Sequence, residues 1–142
     1  MGKEKKAYES VPDVPSTLSD SEVLYWLRTR NVDNAFLNTL KKYSAATDEI
    51  IAGWLNISVR TLRNYRNPKN RIRENIKEQA LLLMSLFVHG KDVFGSAAEF
   101  KNWLNAENFY FDGHKPSSML HTVSGIRFVN ERLHAMEYGD NV

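Results

Sequence analysis

The sequence predicts an all-α fold, and three observations lead there. Apolar residues recur at three- and four-residue spacing in successive stretches, and a side chain able to cap a helix precedes most of them. No stretch alternates apolar and polar residues as a half-buried strand would.

Ser19 with Glu22 three residues later forms a capping box, and Val23, Leu24 and Leu27 supply the stripe of a first helix ending near Arg30. Asp33 is placed to cap a second helix, in which Phe36, Leu37, Leu40 and Tyr43 repeat at helical spacing before Ser44. Thr47 caps a third over Asp48 to Leu55, with Ile51, Ala52 and Leu55 on one face and the small Ala52 where another helix crosses closely. Asn56 makes a corner, because asparagine tolerates a left-handed backbone better than most residues, and Ile57 closes the turn from inside. Ser58 caps a fourth helix whose inward stripe is Val59, Leu62 and Tyr65. The Asn67-Pro68-Lys69-Asn70 group is a loop, since proline restricts its neighbour and removes a donor.

A long helix follows from Arg73 to Val88, with Gly90 expected to stop it. Ile76, Ala80, Leu83, Met84 and Phe87 form one face, and Leu81, Leu82, Leu86 and Val88 widen it. A helix apolar nearly all round must be covered on more than one side, so it is expected at the centre of the second half or shared across a dimer. Ser96 with Glu99 begins a short helix carrying Phe100, Trp103 and Leu104 inward. Phe109 to Gly113 is irregular, with Phe109 and Phe111 each fit for the core or for the surface. Pro116 suits a first helical turn, and Thr122 caps a last helix whose buried face is Ile126, Val129, Leu133 and Met136, ending at Gly139.

A chain of 142 residues with 42% apolar and 25% charged residues can bury a real core and is neither disordered nor membranous in composition. It contains no cysteine, which excludes disulfides and thiolate chemistry, and no apolar run of roughly 18 residues. Residues 1–17 are expected to form a flexible polar arm rather than a signal peptide, and a cytoplasmic location is expected with it. The net charge of +2 is unevenly spread. Residues 1–73 hold 13 Lys and Arg against 8 Asp and Glu, a balance of +5, while residues 74–142 hold 6 against 9, a balance of −3. That asymmetry assigns different partners to the two halves.

The basic half offers the sharper functional reading. From Asp48 to Arg66 the pattern is helix, tight turn, helix, and the outer face of the second helix carries Arg60, Thr61, Arg63, Asn64 and Arg66. Arginine pairs bidentately with guanine and asparagine with adenine, whereas threonine and lysine hold phosphate oxygens. Ser58, Arg60, Thr61, Arg63, Asn64, Arg66 and Lys69 are therefore the expected DNA-contacting set of a helix-turn-helix. The competing reading is a solvated charged face on an ordinary helical pair. Agreement of Ile51, Ala52, Leu55, Asn56, Ile57, Leu62 and Tyr65 with one motif favours the former.

An enzyme finds little support. His89, His114, His121 and His134 lack paired metal-ligand spacing and read as surface or capping residues, and there is no Gly-x-Ser-x-Gly elbow or glycine-rich phosphate loop. No catalytic residue, metal ligand or cofactor is expected. Glu74 and Glu78 pair with Lys77, Arg71 and Arg73 as solvated charge, and Trp26, Trp54 and Trp103 are core anchors.

Val93-Phe94-Gly95, Phe100 to Leu104 as Phe-Lys-Asn-Trp-Leu, Gly113, Pro116, Leu120, Thr122, Gly125, Val129, Leu133 and the closing Met136-Glu137-Tyr138-Gly139 together resemble the toxin-binding domain of Xre/MbcA/ParS antitoxins. The resemblance covers about the last fifty residues, and that family carries an Xre-like helical domain ahead of it, matching Leu18 to Arg66. It implies an Xre-like helix-turn-helix domain at 18–72 followed by a small helical toxin-binding domain at 73–142. It also implies a RES-domain toxin that degrades NAD, operator DNA of the chain's own operon, and a homodimer, since one helix-turn-helix reads one half-site. The expected toxin contacts are Tyr110, His114, Lys115, Ser117, Tyr138, Asp140 and Asn141, on the Phe109 to Ser118 loop, the last helix and the tail. The alternatives are a stand-alone transcriptional regulator and a toxin-binding inhibitor that no longer meets DNA.

Overall fold

The computed structural model describes residues 13–139, and the regular structure among them is helical throughout. Seven α-helices run in chain order: α1 (Asp20–Thr29), α2 (Asn34–Ser44), α3 (Asp48–Leu55), α4 (Val59–Asn64), α5 (Glu74–Phe94), α6 (Ala97–Leu104) and α7 (Val123–Glu137). Two 3-10 turns, Phe109–Phe111 and Pro116–Met119, lie between the last two. No single helix among the described residues is long and apolar enough to cross a membrane.

Local chemistry sets the helix starts. Ser19, Asp33, Thr47, Ser58, Ser96 and Thr122 each accept the backbone N–H three residues ahead, satisfying a donor that the first turn leaves without a partner. Glu22 returns a bond to the Ser19 backbone and completes the capping box of α1. At the other ends, Asn56 takes φ 59° after α3 as expected, and Ala45 takes φ 55° after α2.

The centre of the molecule is α5. Residues Ala80 to Phe87 are all buried along it, because α1, α2 and α3 cover it from one half of the chain and α6 and α7 from the other. This accounts for its nearly all-round apolar surface without a second copy of the chain. Each fully buried leucine contributes on the order of 2 kcal/mol of transfer free energy. The core therefore runs without a break past residue 73, from Val14, Leu37 and Leu55 through Leu83 to Leu104 and Leu133.

Hydrogen bonds fasten the same junction. Gln79 donates to the Trp54 carbonyl at 2.5 Å, Asn56 to the His121 carbonyl at 2.6 Å and Lys101 to the Ala45 carbonyl at 3.1 Å.

Two expectations are corrected. Gly90 does not stop α5; the helix continues to Phe94 and ends at Gly95, whose φ of 85° is the left-handed stop. Gly90 is used for its missing side chain instead, since a Cβ there would collide with the Phe100 ring of α6. The expected flexible arm is also too long. Val14 and Leu18 are buried, Ser85 donates to the Pro15 carbonyl at 2.7 Å, and Asn130 donates to the Ser16 carbonyl at 3.1 Å. Residues 13–17 thus pack as an extended strap across α5 and α7, drawn in by one valine and held by carbonyls that extended backbone leaves free. Residues 1–12 of the expected arm lie outside the described residues.

Candidate functional site

The chain presents two candidate faces. The first is built by α3, the Asn56 corner and α4. Ile51, Ala52 and Leu55 of α3 and Leu62 of α4 are buried together, with Tyr65 just beyond, so the opposite side of α4 is left to solvent. Arg60, Arg63 and Asn64 are exposed there, and Lys69, Arg71 and Arg73 continue the exposed basic track along the following loop. Ser58 is engaged as the cap of α4, and its hydroxyl also lies 3.0 Å from that of the half-buried Thr61.

Beneath this face sits Asp48, a buried carboxylate in the first turn of α3. It accepts from Lys41 at 3.0 Å and from Arg63 Nε at 3.3 Å, and both its oxygens accept from the Arg66 guanidinium. Those bonds, with Arg66 the largest contributor and Lys41 next, hold its carboxyl well below the usual carboxylate range against the opposing effect of desolvation. The expected DNA set is thereby divided. The Arg66 side chain is only 29% exposed and its guanidinium is committed to Asp48, so it does not belong with the outward residues. Its role is to lock the end of α4 against the start of α3. Arg63, at 60% exposure, bonds Asp48 through Nε.

The second face lies on the C-terminal half. An aromatic column crosses the core, with Phe87 against Phe100 at 5.3 Å, Trp103 against Phe111 at 6.0 Å and Phe111 against Phe128 at 5.2 Å. The column reaches the surface at Phe128, which is 47% exposed. The first 3-10 turn places Phe109 outward at 87% exposure while burying Phe111, and the left-handed Asp112 and Gly113 that follow reverse the chain. Tyr110 stacks under the Arg132 guanidinium, 3.5 Å from its ring centre. Phe109, Tyr110 and Phe128 are exposed and, with the half-buried Arg132, form one aromatic and cationic patch beside the core. Of these four, only Tyr110 was expected from the sequence as a contact. Phe128 and Arg132 were not named, although the last helix was expected to take part and their i, i+4 spacing places them on one face of it.

The other expected toxin contacts are dispersed. His114 closes the turn with Nδ1 3.1 Å from the Phe111 carbonyl, and Lys115 is exposed before the second 3-10 turn. Ser117 donates to Asn105 at 3.2 Å and lines a cavity of about 300 Å³ between α3 and α6, away from Arg132. Tyr138 is exposed beside His134, and Asp140 and Asn141 lie outside the described residues. Pro116 starts its turn, and Gly125 is required because a Cβ would strike the Met119 carbonyl, a closer neighbour than the helix expected there.

One histidine departs from expectation, whereas His134 is exposed as a surface residue. His89 is 1% exposed, with Nε2 2.7 Å from Glu137 Oε1 and Nδ1 hydrogen-bonded to Asn130 Oδ1. His134 Nδ1 lies 3.4 Å from the same Glu137 oxygen. Sequence spacing hides this group, because His89 comes from α5 and the other two from the end of α7.

Residues 89–139 match a family described as the antitoxin Xre/MbcA/ParS C-terminal toxin-binding domain. No curated protein matches the chain. The resemblance read from the sequence is borne out for this segment, which includes α6, α7, both 3-10 turns and the exposed aromatic patch.

Proposed function

We propose, from the premise that residues 89–139 are an antitoxin's toxin-binding domain, that this chain neutralises a RES-domain, NAD-degrading toxin and represses its own operon as a homodimer. The observation that carries the proposal is the coincidence of that domain with the patch of Phe109, Tyr110, Phe128 and Arg132. A monomer that leaves Phe109 and Phe128 in water gains by covering them, and aromatic and arginine side chains are the usual anchors of protein interfaces. Neutralisation then needs no chemistry from this chain; its body seated over the toxin's active site suffices. The RES identity of the toxin rests on the resemblance.

The DNA side of the proposal rests on α3, the Asn56 corner and α4 acting as a helix-turn-helix, with Arg60, Arg63 and Asn64 toward base edges and Lys69, Arg71 and Arg73 toward phosphates. Asp48 favours a second reading, a toxin inhibitor that leaves DNA alone, because it draws Arg66 and part of Arg63 away from that face. Co-expression with a RES-domain toxin and promoter binding separate them. Phe128→Asp should leave the toxin active and abolish co-purification while promoter binding persists; unchanged protection by this variant defeats the toxin-face assignment. Arg60→Ala should weaken specific promoter binding by about 1 to 3 kcal/mol if it reads a base, and Lys69→Ala should chiefly reduce the salt dependence. Promoter binding indifferent to both changes selects the inhibitor reading.

A further inference from the structure

We infer that His89, His134 and Glu137 form a divalent transition-metal site, of the kind zinc takes, joining α5 to the last turn of α7. The inference stands apart from the toxin and DNA assignments. It begins from the hydrogen-bond chain behind His89. Asn130 Nδ2 donates to the Ser16 carbonyl at 3.1 Å, a group that can only accept, so Asn130 presents its Oδ1 to His89. His89 Nδ1 therefore carries a proton, and a neutral ring turns its bare Nε2 lone pair toward Glu137 Oε1 only 2.7 Å away. Two acceptors at that distance need positive charge between them. A proton can serve that pair, and His134 Nδ1, 3.4 Å from the same carboxylate oxygen, adds a third atom able to ligate a metal. One divalent ion satisfies all three at once.

The spacing brings all three ligand atoms within reach of one ion once their side chains adjust to it. The three ligand atoms lie within 4.8 Å of one another. Tetrahedral zinc with bonds of about 2.0 to 2.2 Å sets its ligands about 3.4 Å apart, so the Glu137 to His134 edge already fits. The shorter edge must open by about 0.7 Å, within reach of a partly exposed glutamate at a helix end. Two imidazole nitrogens with one carboxylate favour zinc and its neighbours over magnesium or calcium. Asn130 supplies the outer support that orients a metal-bound histidine. His134 and Asn130 also line a cavity of about 450 Å³ bounded by Thr17 to Glu22, α5 and α7, so solvent approaches the group from that side.

Calorimetric titration of the chelator-stripped, untagged full chain with zinc chloride tests the site, with thermal unfolding as a second readout. One zinc per chain is expected, saturating below about 100 µM and raising the unfolding midpoint. His134→Ala and Glu137→Gln, both at partly exposed positions, should each weaken binding at least about tenfold, while His121→Ala leaves it intact. Magnesium chloride should give no binding heat. Absence of zinc binding at that concentration overturns the inference. So does equal affinity in the His134 and Glu137 variants, or an equal loss in His121→Ala, which would mean surface histidines binding at random.

Discussion

Asp48 and Glu137 each gather basic side chains from more than one element, but the partners differ in kind. Asp48 is buried at the start of α3 and collects Lys41, Arg63 and Arg66, whose charges persist across the working pH range. Glu137, at the partly exposed end of α7, collects two imidazoles that bond it strongly only when a proton or metal ion intervenes. The first arrangement is a fixed strut beneath the basic face. The second is conditional, and it sits next to the tail of the domain proposed to hold the toxin.

Removing the strut should give the largest effect. Asp48→Ala is expected to lower stability by about 2 kcal/mol, read from the urea midpoint, because several charge-assisted bonds are lost at one buried point. The pH dependence follows from the depressed carboxyl. The folded state binds the Asp48 proton more weakly than the unfolded state, so the stabilisation is complete above the ordinary aspartate value near 3.9 and disappears as pH falls further. The gap in unfolding midpoint between the parent chain and Asp48→Asn should accordingly hold steady from about pH 8 to 5 and close in stronger acid. A gap that changes near neutrality would assign the effect to another group.

The two arginines on that strut should separate next. Arg66→Ala, at the more buried side chain, is expected to cost about 1 to 2 kcal/mol, and the more exposed Arg63→Ala less than about 1 kcal/mol. Equal losses would mean that exposure does not rank the Asp48 partners. In metal-free buffer at neutral pH, Glu137→Gln should cost less than about 1 kcal/mol, since its partner contacts are conditional and partly solvated. A loss as large as that of Asp48→Ala would erase the contrast between the two carboxylates. Smallest of all, Arg60→Ala should change stability by no more than about 0.5 kcal/mol, so any fall in promoter affinity reports contact with DNA.

Features that depend on residues three or four apart were legible in the sequence. The capping side chains at Ser19, Asp33, Thr47, Ser58, Ser96 and Thr122 stand where their spacing predicted, as does the left-handed corner at Asn56. Features that depend on remote residues were not. Gly90 resembles a helix terminator until the Phe100 ring is placed against it, and Val14 belongs to an unstructured arm until α5 and α7 offer it a surface. Asp48 reads as an ordinary first-turn acid until α4 brings Arg63 and Arg66 back across it. Phe109 and Phe111 have the same side chain two positions apart, and only the 3-10 geometry sends one into the core and the other into water. The same gap applies to the aromatic patch: Tyr110 was named from the sequence, whereas its contact with Arg132 on α7 required the fold.

The 21-residue α5 is roughly 30 Å long and serves as keel to both ends of the molecule. A keel leaves no joint. Whatever grips the tail end meets a body that cannot fold away from it, and any surface at the prow keeps its bearing while the stern is occupied. The basic face and the aromatic patch are thus two ends of one beam rather than two loosely tied parts.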